Sequence, residues 1–270
     1  MQMSSGLTIR KQEVIDQPVT HFHVYWLSGD IRIFPSKDES IHVVQLAGTR
    51  YPERKLLEVS VQGDRLMISD GRKKGLPIGL NLGRTELEVH VPNRLFDALM
   101  VSMTGGNLFI DTIQVLRCQC KITSGNAVLS GDIKELELHA TGSNITGKDL
   151  KVERLKVQST ATKVQMSGQF LQVETTNSGR GINLECLTMP ESINTVSTGA
   201  KTVIAIPDNE GFELLLNQRS GKFKNEFHVT TINGEKGRYV YKNGTKTIRI
   251  DIRGGTVHLK AIKGNDHPDT

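Results

Sequence analysis

The chain has 270 residues, a formal charge of +5 and a pI near 9.1, with 37% apolar, 23% charged and 5% aromatic residues. This balance excludes a disordered chain and a core built on large rings, and leaves small and branched aliphatics to do the packing. No stretch approaches the roughly 18 apolar residues of a membrane span, and the positive charge is dispersed, so nucleic acid is not expected as a partner.

Residues 1–17, MQMSSGLTIRKQEVIDQ, lack the apolar centre of about 7–15 residues that marks a secretory leader. They are expected as a terminal capping or flexible segment, and a cytoplasmic location is expected for the sequence as given, with envelope association through partners. From residue 18 to 98 alternating runs recur with insertions between them. With Ser28 as a reference, Phe22 and Val24 stand six and four residues before it, and Ile31 and Ile33 three and five after. His21 and His23 alternate with Phe22 and Val24, so they face outward on a solvated strand face. The short basic run Arg72-Lys73-Lys74 stands among glycines and is expected as a solvated loop.

From residue 99 to 262 the pattern becomes regular. Taking Gly105, Ser124, Gly142, Ala161, Gly179, Gly199 and Gly221 as zero positions gives spacings of 19, 18, 19, 18, 20 and 22 residues. Six before zero stand Leu99, Cys118, Leu136, Leu155, Val173, Ile193 and Leu215. Four before zero stand Val101, Cys120, Leu138, Val157, Thr175, Thr195 and Asn217, fading to polar toward the end. Three after come Leu108, Ala127, Ile145, Val164, Ile182 and Thr202. Period two within each arm marks a strand with one buried face. The change of parity across zero marks a corner. Gly254 restores the pattern with Ile248, Ile250, Val257 and Leu259, and residues 263–270 form a second terminal segment.

A unit of 18–20 residues cannot bury its apolar face alone, but copies stacked about 4.8 Å apart can. A fixed short period marks a solenoid, and the missing 3.6 period excludes the helical repeats. The expected fold is all-β: one parallel β-solenoid domain over 18–262, irregular to residue 98 and regular beyond it.

LSGDIRI (27–33), LEVHVPNRLFDALMVSMTGGNL (87–108), SGNAVLSGDI (124–133) and IDIRGGTVHL (250–259) follow one another in order. Together they resemble the bacterial "putative adhesin" β-solenoid family of unknown function, whose relatives include LiaG-like cell-envelope stress proteins. The resemblance implies a stacked β fold without established catalytic residues.

The chemistry-bearing residues do not assemble into a known constellation. Cys118 and Cys120 fall on inward offsets, Cys186 lies several layers away, and an odd count of three makes no disulfide framework. Buried, reduced thiols are expected. Glu135/Glu137 and Asp149/Glu153 are flanked by Lys134, Lys148 and Lys151, as on a solvated face. No catalytic, cofactor-binding or metal-ligating residue is assigned. Asn107, Asn126 and Asn144 share the offset two after zero and are expected to stack as a structural ladder at the corner, where Asn tolerates left-handed backbone. The expected function is a non-catalytic scaffold or protein-interaction module tied to cell-envelope stress. The alternatives are a surface adhesin or carbohydrate-binding protein and a lyase-type enzyme acting on polysaccharide. The expected partner is a protein, with carbohydrate as the alternative, no cofactor, and a monomer or limited end-to-end dimer as the assembly.

Overall fold

The computed structural model describes residues 6–72 and 84–262. They form strands throughout, and the single helical piece among them is a 3-10 turn at Glu53–Lys55. The chain divides into two compact units, Met1–Ile133 and Lys134–Thr270. The expected all-β solenoid of short parallel coils is what the chain forms, and its N-terminal portion is the less regular one.

The first unit holds β1 (Thr8–Ile15), β2 (His21–Pro35), β3 (Ile41–Ala47), β4 (Glu58–Gln62), β5 (Arg65–Ser69), β6 (Thr85–Val91), β7 (Leu95–Thr123) and the start of β8 (Gly125–Thr141). Its coils do not stack in chain order. β2 comes first among the coils, yet it is paired on both edges. β5 runs parallel to it over His21–Tyr25 and β6 over Asp30–Pro35, while β7 pairs along the other edge from His21 to Ile33. The outer layer then departs from the parallel pattern. β3 lies antiparallel to β6 and carries β1 antiparallel on its far side, and β4 forms a hairpin with β5. The residues at 8–15 therefore make a ladder strand.

Period-two burial follows the sequence columns. Phe22, Val24, Leu66, Ile68, Leu99, Val101, Cys118 and Cys120 are all buried before the corner, as are Ile31, Ile33, Leu87, Val89, Leu108 and Ile110 after it. The corner is tight. Gly29 and Gly106 have φ of 114° and 105°, and a Cβ on Gly106 would lie 2.0 Å from the Gly29 carbonyl oxygen. Only glycine fits that approach.

The second unit continues with β9 (Asn144–Thr160), β10 (Lys163–Ser178), β11 (Gly181–Cys186), β12 (Ser192–Thr198), β13 (Ala200–Pro207), β14 (Phe212–Asn225), β15 (Thr230–Thr231), β16 (Arg238–Tyr241) and β17 (Lys246–Ile262). β10 pairs in parallel with β9 and with β11 and β12, so Val157, Thr175 and Thr195 share one column. The zero positions adopt the left-handed backbone that turns the chain: φ is 61° at Gly142, 49° at Ala161, 76° at Gly179 and 59° at Gly199. A second corner, which the columns did not reveal, falls seven residues after zero. Thr112, Gly131 and Asp149 occupy it with φ of 48°, 136° and 50°.

β17 breaks chain order in this unit. It is parallel to β12 and β13 along one edge and to β14 along the other, so the last coil of the sequence is inserted beneath an earlier one. The end layer is β14, partly covered by its antiparallel neighbour β16 and by β15 beyond it. Lys260 pairs within β17, and residues 263–270 lie outside the described part.

The fade to polar residues four before zero has two outcomes: Thr175 and Thr195 stay in the core, whereas Asn217 is exposed. β14 pairs Leu214 with Ile248 and Leu216 with Ile250, which turns the expected inward residues Leu215 and Asn217 off the core column. Thr175, Asn177, Thr195, Ser197 and Thr202 are all buried. The hydroxyls of Thr175 and Thr195 bond across the layers, and the Thr202 hydroxyl lies 3.1 Å from that of Ser197 and 3.2 Å from Asn177 Oδ1. Stacked in register, small polar side chains satisfy one another, which removes most of the cost of burying them.

Candidate functional site

In the first unit β5 ends at Ser69 and β6 begins at Thr85, although both lie on the same edge of β2. Among the described residues that layer brings no strand to the backbone around Leu27 and Ser28. Two charged side chains take its place. The Asp70 carboxylate accepts the Leu27 N–H at 3.1 Å, and Arg72 Nη2 donates to the Ser28 carbonyl at 2.6 Å and Nη1 to the Ser28 hydroxyl at 3.0 Å. Arg72 Nε donates to both Asp70 oxygens, at 2.7 and 2.9 Å, and Nη2 closes the pair. The side chains are 1% and 3% exposed. The solvated loop expected for Arg72 is thus overturned. A vacated corner leaves buried backbone groups unsatisfied, and a guanidinium held by a carboxylate completes them. Lys73 and Lys74 lie outside the described residues.

Beside this plug the outward face of the arm before the corner forms a groove of about 600 Å³. Its rows follow from register: Ser69 pairs with Tyr25, Tyr25 with Ser102, and Lys121 stands one repeat further on. Thr104 and Thr123 flank them, and Trp26, Asp70 and Arg72 close one end. Tyr25 is 41% exposed. Trp26 is buried, with Arg72 5.9 Å above its ring, and among the described residues its indole Nε1 has no hydrogen-bond partner. Burial pushes the Tyr51 phenol up; Arg72 opposes that shift and Asp70 adds to it.

The second unit carries a shallower groove of about 440 Å³ on outward positions of the same arm of its repeat. Arg154, Gln172 and Ser192 form one row, and Lys156, Glu174 and Asn194 the next. Glu135 pairs with Arg154, and Glu137 lies 3.4 Å from Lys156 and 3.1 Å from His139. The Glu137 carboxyl is held below its ordinary value: burial works to raise it, and Lys156 and His139 together outweigh that. Neighbouring charges here neutralise one another.

The remaining sequence candidates fall as follows. Asn107 Nδ2 donates to Asp30 Oδ1 at 2.7 Å, and Asn126 Nδ2 to Asn107 Oδ1 at 2.9 Å. Asn144 is exposed on the first residue of β9. None of the three has the left-handed backbone expected of a corner asparagine; the zero positions Ser124 and Gly142 take that role. All three cysteines are free and buried, with the Cys118 and Cys120 sulfurs 3.8 Å apart. Their mutual hydrogen bond, and then burial, raises the Cys120 thiol well above its ordinary value, and burial pushes Cys186 up to about 12. His21 is half-buried and meets Asp64 at 3.0 Å, and His23 is lowered chiefly by burial, then by Arg65 and His21. Among the described residues no three His, Cys, Asp or Glu side chains gather to hold a metal ion, and no helix is long and apolar enough to cross a membrane.

The stacked columns and glycine corners extend over the span that a family model, Toastrack DUF4097, matches: residues 19–260. The chain belongs to the Toastrack DUF4097 family. Among solved structures it is similar to one described as a "putative lipid binding protein" from Parabacteroides distasonis ATCC 8503. Identity is 11%, 96% of this chain and 98% of that chain are covered, and the TM-score is 0.50. It is also similar to a "putative adhesin" from Bacteroides fragilis NCTC 9343, at 13% identity, 95% and 98% coverage and a TM-score of 0.47. At such identities the likeness speaks for the fold. No curated protein matches the chain.

Proposed function

We propose that this Toastrack protein is a non-catalytic binding module, a solenoid that holds outward strand faces rigid for a macromolecular partner. The observation that supports it is the groove of the first unit. An exposed tyrosine, hydroxyls without partners among the described residues and a lysine sit there on strands locked by pairing, a preorganised surface that loses little freedom on binding. The setting implied by its LiaG-like resemblance is the bacterial cell envelope under stress.

The test is binding without turnover. Immobilised protein incubated with envelope polymers and with uronic-acid polysaccharides should retain a polymer saturably, and mass spectrometry should recover it unchanged. Shortened chains or unsaturated ends in the recovered polymer would make the protein a lyase. No saturable retention of any envelope component would remove the binding reading.

A further inference from the structure

We infer that the groove of the first unit is a subsite for an acidic saccharide, a pyranose carrying a carboxylate or a phosphate ester. The inference rests on the binding-module reading and names the ligand of its groove. Four hydroxyls line the site, those of Ser69, Ser102, Thr104 and Thr123. Among the described residues none of the four has a hydrogen-bond partner, and Lys121 has no ion-pair partner. At the closed end stands Trp26, buried on the inward side of β2, whose indole N–H has no acceptor among the described residues.

The groove's chemistry selects among ligand classes. A lipid chain would strip water from the four hydroxyls and give them nothing in return, which is costly. A peptide adding as a strand needs an open backbone edge; β2 is paired on both edges at Tyr25, and beyond it Asp70 and Arg72 already hold the Leu27 N–H and the Ser28 carbonyl. A sugar matches each element. One face of a pyranose is a flat array of C–H bonds that can lie on the exposed Tyr25 ring. Its hydroxyls donate to and accept from Ser and Thr, which can do both. A negative substituent reaches Lys121, the cation left without a partner, whereas Arg72 is already engaged by Asp70. The volume, about 600 Å³, suits a short oligosaccharide segment, since small-ligand pockets run from roughly 300 to 1,000 Å³. Layers repeat every ~4.8 Å, so successive rings of an extended glycan can each meet one layer.

The experiment is calorimetric titration of the intact chain with four probes. These are tetragalacturonate, the neutral galactose tetramer, glucose 6-phosphate and polyglutamate. Each is repeated with Lys121→Gln and Tyr25→Ala, both at outward positions, with unchanged melting curves confirming the fold. A charged sugar should bind more tightly than its neutral counterpart. Lys121→Gln should weaken the charged sugar about tenfold, the scale of one charge-assisted hydrogen bond, and leave the neutral one alone. Tyr25→Ala should weaken both sugars. Preference for tetragalacturonate or for the phosphate tells the two sources of charge apart. The inference fails if no sugar binds, if charged and neutral sugars bind alike, or if neither substitution matters. It also fails if polyglutamate alone binds through Lys121, an outcome that leaves the binding-module reading standing.

Discussion

The two units turn the same kind of corner by different means. In the second unit the chain turns with Gly142, Ala161, Gly179 and Gly199 in the left-handed region, and neutral hydroxyls of Ser143 and Thr162 brace the first two corners by bonding to the backbone around them. In the first unit, where no described strand of the β5–β6 layer reaches Ser28, Asp70 and Arg72 are buried against the backbone at Leu27 and Ser28. The difference shows what an interrupted solenoid must do. Backbone groups that a missing layer would have paired still need partners, and side chains can supply them only by entering the core. The second unit also buries polarity, but as neutral hydroxyls that stack on one another. A charged plug is the more fragile solution, because losing either half strands the other away from water.

The comparison sets an order of expected effects. Arg72→Met leaves Asp70 buried and unpaired, and should cost ~3–5 kcal/mol in urea unfolding. Trp26, the single tryptophan, reports directly on that unit through its fluorescence. A loss below about 1 kcal/mol, the scale of an exposed pair, would mean that the plug is solvated and that the corner has another support.

Thr195→Val tests the neutral alternative. It leaves the Thr175 hydroxyl without its partner and should cost about 1–3 kcal/mol, while the double change with Thr175→Val should recover much of the loss. No recovery would show that the hydroxyl column is held by more than mutual bonding.

A further contrast lies in the thiols of the two units, and alkaline stability should expose it. Cys186 is pushed up to about 12 in the folded chain, from 9.0 for an unperturbed thiol. Below 9 the thiol is neutral in both states and its burial carries no ionisation penalty. Above 9 only the unfolded thiol ionises, so stability falls as the pH rises toward 12, by about 1.4 kcal/mol per pH unit from this group. Thermal melts from pH 8 to 11 should show a shallower decline for Cys186→Ala than for the wild type, after allowance for the cavity at neutral pH. Parallel declines would place Cys186 in contact with solvent.

The smallest effect belongs to the backbone corner itself. Ala161 holds φ at 49°, where a Cβ costs roughly 1–2 kcal/mol. Ala161→Gly relieves that strain but loosens the unfolded chain, so the expected change is within ~1 kcal/mol and stabilising in sign. A destabilised Ala161→Gly would show that the methyl group packs against a neighbouring layer.

Legibility followed locality. The inward columns from Leu99 through Ile193 could be read because side-chain direction alternates along any strand, whatever lies next to it. The zero positions could be read because small residues are needed where φ turns positive. The second corner escaped because its occupants, Thr112, Gly131 and Asp149, are three unlike residues: Gly131 and Asp149 favour a turn, but Thr112 does not, so no single residue type marks the column. The groove escaped too. Tyr25, Ser102 and Lys121 share an outward offset of three before zero, a column that could have been written down, but nothing in it marks three unlike residues as one surface. Arg72 looked like a loop residue because its neighbours in sequence are lysines and glycines.

What the sequence determined by itself is the coil: its length, its buried offsets and the residues on which it turns, all of which depend on backbone geometry within a few residues. What only the tertiary structure decided is which coil lies beside which. β2 lies between β7 and the later β5 and β6, and β17 between β13 and the earlier β14. The physical reason is that every coil presents nearly the same period-two edge, so backbone pairing accepts many neighbours. The choice among them falls to whole-layer packing and to the few side chains, such as Asp70 and Arg72, that fit one vacancy in the stack.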